Sequence, residues 1–350
     1  MPRERRLQLR RCVTPRLGCS GPAQAQGGLD QARLASVTLP EASGWDGHRL
    51  GRVRPRHTDR SMAHLTPAEI AHYEREGYVV PGWRLPEARV EPMRAALDEL
   101  LRRNPGVRPE KLVSAHLEAG PGADNGEGVR GVREFLELAM DRDIVDLVAD
   151  VIGEHVILWG CHVFCKPAAE GYETPWHQDG HYWPIRPLAT CTAWVALEPS
   201  TRDNGCLRVI PRSHAARVLH PHLHEERTDL TLNQRLAAGA FDEADAADIE
   251  LEPGQLSLHD VHMIHGAAAN RSARRRTGVA LRYMPASSVF ERSLDPVSGR
   301  SGVPVDFARR PIWLLKGRDL SGRNDFTVGH RTGPGGGLAQ GPGDAARTPA

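Results

Sequence analysis

Histidine and carboxylate side chains are concentrated in two short segments of this sequence. In residues 175–184 (PWHQDGHYWP), His177 and Asp179 are separated by a single residue. In residues 258–266 (LHDVHMIHG), three histidines follow one another at every third position. Imidazole nitrogens and carboxylate oxygens are ligands that divalent transition metals bind readily in proteins. These two segments are therefore the candidates for a metal site.

The spacing of His177 and Asp179 suits a shared ion. Proline and glycine are too dense around them for a helix, so both are predicted to lie on an extended segment. Residues i and i+2 of a strand face the same side, with Cα atoms about 6.6 Å apart. Two such side chains can bind one ion at about 2.0–2.2 Å, and His259, His262 and His265 are candidates for the third ligand. Two histidines and one carboxylate are typical of non-heme Fe(II) oxygenases, although an isolated His-x-Asp pair is common in surface loops.

A longer set of motifs surrounds this pair. It comprises WHQDGHYWPIRP at 176–187, TCTAWVALEPSTRDNGCLRVIPRSH at 190–214 and IHGAAANRSARRR at 264–276. Together these motifs, within about residues 175–284, resemble the phytanoyl-CoA dioxygenase family of Fe(II)/2-oxoglutarate oxygenases. The resemblance implies a dioxygenase that uses Fe(II), 2-oxoglutarate and O2. Its simplest expected reaction is hydroxylation of an aliphatic C–H bond in a small organic metabolite, with release of succinate and CO2.

The resemblance also assigns roles to individual residues. It implies that His177, Asp179 and His265 bind iron, because the family's distal histidine directly precedes glycine in an H-G-x-x-x-N-x-S pattern. His259 and His262 are then neighbours of the site, expected to be ordinary strand histidines. The family's arginine for the far carboxylate of 2-oxoglutarate lies eleven residues after the distal histidine. That position is Arg276, with Arg274 as the rival.

Other residues are weaker candidates. Trp194 matches a residue that lines the co-substrate pocket in the family, and Thr192 faces the same way on the same predicted strand. Lys166 and Arg186 are candidates for binding a substrate, and solvated basic side chains are an equally good interpretation of both. Ala267 departs from the pattern, because the corresponding serine of a family member helps to hold 2-oxoglutarate. One hydroxyl contact is therefore missing or supplied elsewhere.

The residue at position 179 separates two chemistries. Halogenating relatives carry Ala or Gly there, whereas Asp179 fills the coordination position, so the resemblance implies hydroxylation rather than halogenation. Oxidative cyclisation or desaturation at the same iron remains an alternative. A catalytically silent binding protein with the same fold is an alternative from a different class.

Helices are predicted before strands. Thr66-Pro67-Ala68-Glu69 is a capping box with proline at the first helical position. A second helix is expected to stop before Asn104-Pro105, and a third, which includes Phe135 and Ile152, to end at Gly153. Apolar runs of strand length follow at 155–165, 191–197, 206–210, 255–265 and 278–284. Asn204-Gly205 predicts a hairpin.

This order of elements predicts an α+β, mainly β protein. The resemblance implies a double-stranded β-helix (jelly roll) core at 154–290, with the helices of 62–153 packed against it. A single oxygenase domain is expected over 62–331. Residues 1–61 are predicted to be a disordered or overlong N-terminal extension, with Met62 as the alternative start, and 332–350 a disordered tail.

Net charge, apolar stretches and cysteine content indicate which kinds of partner and cellular location to expect. The chain has 350 residues and a net charge of +1, so no strong electrostatic field indicates nucleic acid or a membrane surface as a partner. No apolar stretch approaches the length of a membrane span, and the first residues lack a secretory signal. Six cysteines are too few for a disulfide framework. We therefore expect a cytoplasmic enzyme with a small-molecule substrate, and the sequence does not indicate its oligomeric state.

Overall fold

The computed structural model describes residues 63–118, 125–181, 183–294 and 306–330. The predicted extension at 1–61 and the predicted tail at 332–350 lie outside these ranges. The α-helices of the described residues are α1 (Pro67–Glu76), α2 (Glu87–Arg103), α3 (Glu134–Ala139) and α4 (Arg142–Ile152). None of them has the length and apolar character that crossing a lipid bilayer requires.

The predicted capping box starts the first helix. The Thr66 hydroxyl accepts a hydrogen bond from the backbone N–H of Glu69 at 3.3 Å, and the Glu69 carboxylate accepts one from the Thr66 N–H at 2.7 Å. The second helix ends at Arg103, directly before Asn104. Both predicted boundaries are confirmed.

The third predicted helix is interrupted, so the prediction of one helix is wrong. Helix α3 ends at Ala139 and α4 begins at Arg142. Between them, the Asp141 carboxylate accepts hydrogen bonds from the N–H groups of Asp143 and Ile144 at 2.9 and 3.2 Å. An aspartate in this position caps a new helix. The apolar periodicity continues across the break, which is why the sequence pattern does not reveal it.

Short strands make up most of the remaining regular structure. In the described residues they are β1 (Tyr78–Val79), β2 (Leu112–Val113), β3 (Val156–Lys166), β4 (Thr174–His177), β5 (Ile185–Arg186), β6 (Cys191–Ala196), β7 (Leu207–Val209), β8 (His222–His224), β9 (Gln234–Leu236), β10 (Ala247–Ile249), β11 (Leu256–Asp260), β12 (His265–Ala267), β13 (Arg276–Pro285), β14 (Val289–Phe290) and β15 (Trp313–Lys316). The seven-stranded sheet has the order β1-β11-β6-β13-β3-β15, with β2 also paired to β3. The four-stranded sheet has the order β10-β7-β12-β4. The pairings in both sheets are antiparallel, and the mainly β class is confirmed.

Two strand predictions are corrected by the structure. The apolar run 255–265 forms two strands, β11 and β12, which lie in different sheets. The residues on either side of Asn204-Gly205 do not form a hairpin, since β6 belongs to the larger sheet and β7 to the smaller one. Gly205 instead follows a short 3₁₀ turn and has a φ of +77°. An Asn-Gly pair supplies this left-handed conformation equally well in a crossover turn.

Alternation along β13 separates a core face from a cavity face. Val279, Leu281 and Tyr283 belong to the large apolar cluster that includes the helices. Ala280 and Arg282 line a cavity, together with residues of the four-stranded sheet. Because successive side chains of a strand point to opposite faces, one strand both anchors the helices and lines the cavity.

Candidate active site

The three predicted metal ligands meet between the two sheets. His177 ends β4 and His265 begins β12, and the two residues are directly paired across the strands. Asp179 Oδ1 lies 3.5 Å from His177 Nε2, and Asp179 Oδ2 lies 3.9 Å from His265 Nε2. The ligand atoms all lie within 4.8 Å of one another, and all three residues are buried. This is the spacing that a single ion needs.

The local geometry of Asp179 differs from the prediction. The strand stops at His177, and Asp179 begins a 3₁₀ turn, so the two residues do not share a strand face. A Cβ at Gly180 would lie 2.7 Å from Leu188 Cδ2 and 3.1 Å from Val261 Cγ2, so a larger residue here would displace these side chains. The turn brings the carboxylate back toward the His177 ring. His177 and Asp179 are therefore close together as predicted, but a 3₁₀ turn rather than a shared strand face brings them together.

Backbone carbonyls hold both histidines in the metal-binding tautomer. His177 Nδ1 donates to the Pro175 carbonyl at 2.8 Å, and His265 Nδ1 donates to the Met263 carbonyl at 3.0 Å. A carbonyl only accepts, so Nδ1 carries the proton and the Nε2 lone pair faces Asp179. Burial, together with the nearby His177, lowers the pKa of His265 to about 3, which keeps its ring neutral.

The Asp179 carboxylate is ionised. Burial acts to raise its pKa, but the neighbouring His177 and His265 rings and the Arg282 charge hold the pKa well below its usual range. The cluster therefore offers two neutral imidazole nitrogens and one carboxylate oxygen. This donor set is the one that non-heme Fe(II) oxygenases use, so the residues present fit that ion.

Gln178, which the sequence analysis did not single out, fixes the segment between the ligands. Its side chain is fully buried and donates to the carbonyls of Val218 and His262 at 2.9 and 2.7 Å. Its amide oxygen accepts from the His220 N–H at 2.8 Å. These bonds connect the His-x-Asp turn to two other segments. A glutamine between two metal ligands carries no pattern that would predict this role.

Arg276 begins β13 and is 2% exposed in the same cavity. Its Nη2 donates to the Gly205 carbonyl, and its Cζ lies 5.3 Å from the centre of the Trp194 ring. Among the described residues, its buried Nε has no hydrogen-bond partner. Burial lowers its pKa to about 10, so the guanidinium stays charged near neutral pH. A buried guanidinium with an unused donor suits a carboxylate ligand, whereas Arg274 is exposed.

Trp194 and Thr192 also line the cavity, from adjacent same-face positions of β6. Ala267 lines it with a methyl group. His259 is a neighbour of the metal cluster, as expected, since its ring centre is 5.2 Å from that of His265. His262 instead pairs with Asp260, at 3.1 Å from Nδ1 to Oδ1.

The two weak substrate candidates lie off the cavity. Lys166 is 1% exposed, and its Nζ donates to the carbonyls of Ala267, at 3.1 Å, and Ala268. Burial, with the nearby Arg276 charge, lowers the pKa of this amine well below its usual value. Arg186 is exposed and donates to the carbonyls of Trp183 and Ile185 at 3.0 and 2.7 Å. Neither side chain is among the residues that line the cavity.

Asn270, the asparagine of the H-G-x-x-x-N-x-S pattern, connects backbone segments by hydrogen bonds. Asn270 Nδ2 donates to the carbonyls of Lys166, Pro167 and Arg274 at 3.2, 2.9 and 2.7 Å. These bonds tie the segment before β13 to the end of β3. They fix the point at which the chain enters β13, two residues before Arg276.

Comparison with known proteins identifies relatives. The model of the family described as Phytanoyl-CoA dioxygenase (PhyH) matches residues 73–278. A probable phytanoyl-CoA dioxygenase of Caenorhabditis elegans is 25% identical over 74% of this chain and 94% of its own length. The human peroxisomal phytanoyl-CoA dioxygenase is 26% identical over 63% of this chain and 69% of its own. A probable alpha-ketoglutarate-dependent hypophosphite dioxygenase of Stutzerimonas stutzeri is 28% identical, over 43% of this chain and 53% of its own.

Solved structures show a shared fold. The non-heme monooxygenase ThoJ in its apo form aligns with a TM-score of 0.55 at 23% identity, over 73% of this chain and 86% of its own. The epimerase SnoN, solved with Fe3+, alpha ketoglutarate and nogalamycin RO, aligns with a TM-score of 0.51 at 24% identity. It covers 71% of this chain and 98% of its own. At this identity, the likeness concerns the fold.

Proposed function

This chain belongs to the phytanoyl-CoA dioxygenase family, and we propose that it is an Fe(II)/2-oxoglutarate-dependent dioxygenase that hydroxylates an aliphatic C–H bond of a small organic metabolite. The observation that carries the proposal is the buried cluster of His177, Asp179 and His265. A cluster with both Nδ1 atoms already bonded to carbonyls presents its free lone pairs to one point. Such an arrangement is suited to binding a metal ion.

These three side chains would hold Fe(II) and leave the remaining coordination positions for small ligands. When bound, iron and 2-oxoglutarate supply the O2-dependent oxidation that releases succinate and CO2. Asp179 would fill the coordination position that chloride needs in a halogenase, which favours hydroxylation. The three ligand residues are buried. Water would therefore have limited access to a substrate C–H bond that is oxidised beside them.

Arg276 would bind the far carboxylate of 2-oxoglutarate. The Gly205 carbonyl and the Trp194 ring hold its guanidinium in place, while its Nε has no hydrogen-bond partner among the described residues. Thr192 and Trp194 would form the wall of the co-substrate pocket. A preorganised guanidinium loses little freedom when it binds a carboxylate, so it orients the co-substrate at low entropic cost.

The fold that we propose around this site is a double-stranded β-helix. Its support is the path of the chain, which passes from β6 in the larger sheet to β7 and β10 in the smaller one. The chain then alternates through β11, β12 and β13. We also propose one oxygenase domain over 62–331, in the cytoplasm. The location is supported by Cys161, Cys165, Cys191 and Cys206, which are buried free thiols.

The experiment that tests this function measures succinate and products. The purified full chain is given Fe(II), 2-oxoglutarate and O2 with a panel of small metabolites, and Asp179→Ala is the control. We expect succinate release that requires all three additions and a product with one added oxygen atom. Loss of two hydrogens without added oxygen would instead identify desaturation or cyclisation. No succinate from any mixture would favour a silent binding protein.

A further inference from the structure

We infer that His259 donates a hydrogen bond to the near carboxylate of 2-oxoglutarate, which is the carboxylate at the metal-binding end. The inference rests on the proposed function, because it assigns a further residue to the same co-substrate. His259 lies on β11, is 3% exposed and lines the cavity together with the metal cluster and Arg276. Its ring is therefore placed to contact a ligand in that cavity.

The His259 ring has no hydrogen bond that would explain its burial. Its Nδ1 is buried without a partner, and the ring forms no other hydrogen bond with the described residues. His262, three residues later, differs, because its Nδ1 lies 3.1 Å from Asp260 Oδ1. A buried polar group without a partner costs stability and is uncommon, so it calls for a ligand or another role.

Thr192 is a second unused polar group beside His259. The two residues are directly paired between β6 and β11, and both line the cavity. The Thr192 hydroxyl forms no hydrogen bond with the part of the chain that the structure describes, whereas Thr174 of the same cavity is bonded to Thr231 at 2.9 Å. His259 and Thr192 therefore form a polar corner that suits a ligand with acceptor oxygens.

This polar corner lies at the metal end of the cavity. The His259 ring centre is 5.2 Å from that of His265. The described residues offer three possible ligands to one ion, and His259 is not among them. His259 therefore lies beside the metal cluster without belonging to it, where it can contact a group that the ion binds.

Arg276 lies in the other direction along the sheet. Trp194, two residues after Thr192 on β6, pairs with Ala280 of β13. The indole of Trp194 lies over Gly278, two residues closer to Arg276, and its ring centre is 5.3 Å from Arg276 Cζ. Along the sheet, the order is therefore the polar corner, the indole and then Arg276.

This order matches the chemistry of 2-oxoglutarate, which has a carboxylate at each end of its chain. Arg276 would hold the far carboxylate, and the near carboxylate would lie at the metal cluster. An imidazole carries at least one N–H in either protonation state, so His259 can donate to a carboxylate oxygen. Hydrogen bonds to an ionised acceptor are the stronger ones. Contacts at both ends would fix the position and the direction of the co-substrate.

The test uses ligands that lack one end of 2-oxoglutarate, added anaerobically to the Fe(II)-loaded protein. 2-Oxopentanoate lacks the far carboxylate and 4-oxopentanoate lacks the near one, and calorimetry and the visible charge-transfer band report binding. His259→Phe and His259→Leu should both weaken 2-oxoglutarate and 2-oxopentanoate about tenfold, because they remove a charge-assisted hydrogen bond. Both variants should leave 4-oxopentanoate within about twofold. Arg276→Gln, by contrast, should weaken 2-oxoglutarate and spare 2-oxopentanoate.

Further variants separate this contact from a merely structural role. His259→Gln keeps an N–H donor and should retain part of the affinity for 2-oxoglutarate. His224→Phe changes an exposed histidine in the same way and should change nothing. The affinity for Fe(II) alone should stay within about twofold of wild type in each His259 variant. The maximum of the charge-transfer band should shift in His259→Phe and His259→Leu, because the bound carboxylate loses a hydrogen bond.

The outcomes distinguish this inference from the proposed function. Absence of the band in wild type contradicts the proposed function itself. Unchanged affinity for 2-oxoglutarate in His259→Phe or His259→Leu overturns the inference alone, and either variant carries the comparison if the other does not fold. A loss that spares 2-oxopentanoate also overturns it, because His259 would then serve the far carboxylate. So does a loss of Fe(II) affinity, because His259 would then support the metal ligands.

Discussion

The indole of Trp194 lies against the backbone of Gly278, so closely that a Cβ at Gly278 would be 1.8 Å from Trp194 Cζ2. Gly278 is on β13 and pairs with Ala196 on β6. The missing side chain lets the indole extend across β13, where its ring centre is 5.3 Å from Arg276 Cζ. The shape of the proposed co-substrate pocket therefore depends on a glycine.

Gly278→Ala should disturb that pocket without removing a polar group. The new methyl cannot share space with the indole, so the ring must move and the Arg276 guanidinium loses its support. We expect the free energy of unfolding to fall by about 1–3 kcal/mol, as for other overpacked positions. The affinity for 2-oxoglutarate should fall as well. Urea unfolding and anaerobic titration with 2-oxoglutarate measure the two effects. Gly106→Ala is the matched control, since nothing lies within 4 Å of its added Cβ.

Arg276→Gln should weaken 2-oxoglutarate binding about 10- to 100-fold, because it removes a charge-assisted hydrogen bond to a carboxylate. Arg274→Gln should leave the affinity within about twofold, since that side chain is exposed. Titration of the Fe(II)-loaded variants with 2-oxoglutarate gives both values. Equal losses in the two variants would show that Arg276 has no special part in holding the co-substrate.

The buried thiol of Cys161 predicts a loss of stability in alkali. Burial raises the pKa of Cys161 to about 12, whereas an unfolded chain has a thiol pKa of 9.0. The unfolded state therefore releases this proton first, so the thiol's contribution to stability is complete below about pH 9 and is lost between about pH 9 and 12. In Cys161→Ala, the free energy of unfolding should therefore decrease less steeply with rising pH. The difference in slope should be at most about 1.4 kcal/mol per pH unit.

Denaturant unfolding of wild type and Cys161→Ala between pH 8 and pH 10.5 checks this difference. Groups that titrate there and do not interact with Cys161 are common to both proteins and cancel in the comparison. Identical slopes in the two proteins would mean that Cys161 ionises equally in the folded and unfolded states.

The sequence predicted correctly those helix boundaries that depend only on neighbouring residues. The Thr66 capping box and the end of α2 before Asn104 depend on residues within a few positions, and both were correct. The break at Asp141 was missed because an aspartate inside an apolar repeat is equally compatible with a continuous helix. The split of 255–265 was missed because the turn between the two buried strands contains Val261 and Met263, which are buried as well.

The site was predictable where chemistry restricts the residue type. Metal ligation limits the choice to a few side chains, so His177, Asp179 and His265 could be proposed from spacing and family resemblance, and the structure brings them together. Gln178 acts through residues distant in sequence, and its position became evident once the sheets were known.

The most direct test of the central claim is anaerobic addition of Fe(II) and then 2-oxoglutarate to the apo-protein. A visible metal-to-ligand charge-transfer band should form in wild type and be absent in Asp179→Ala/His265→Ala. It should remain in Asp203→Ala/His224→Ala, which removes the same residue types from exposed positions. This result would establish the iron ligands and the co-substrate together. Absence of the band in wild type, or a full band in Asp179→Ala/His265→Ala, would contradict the account.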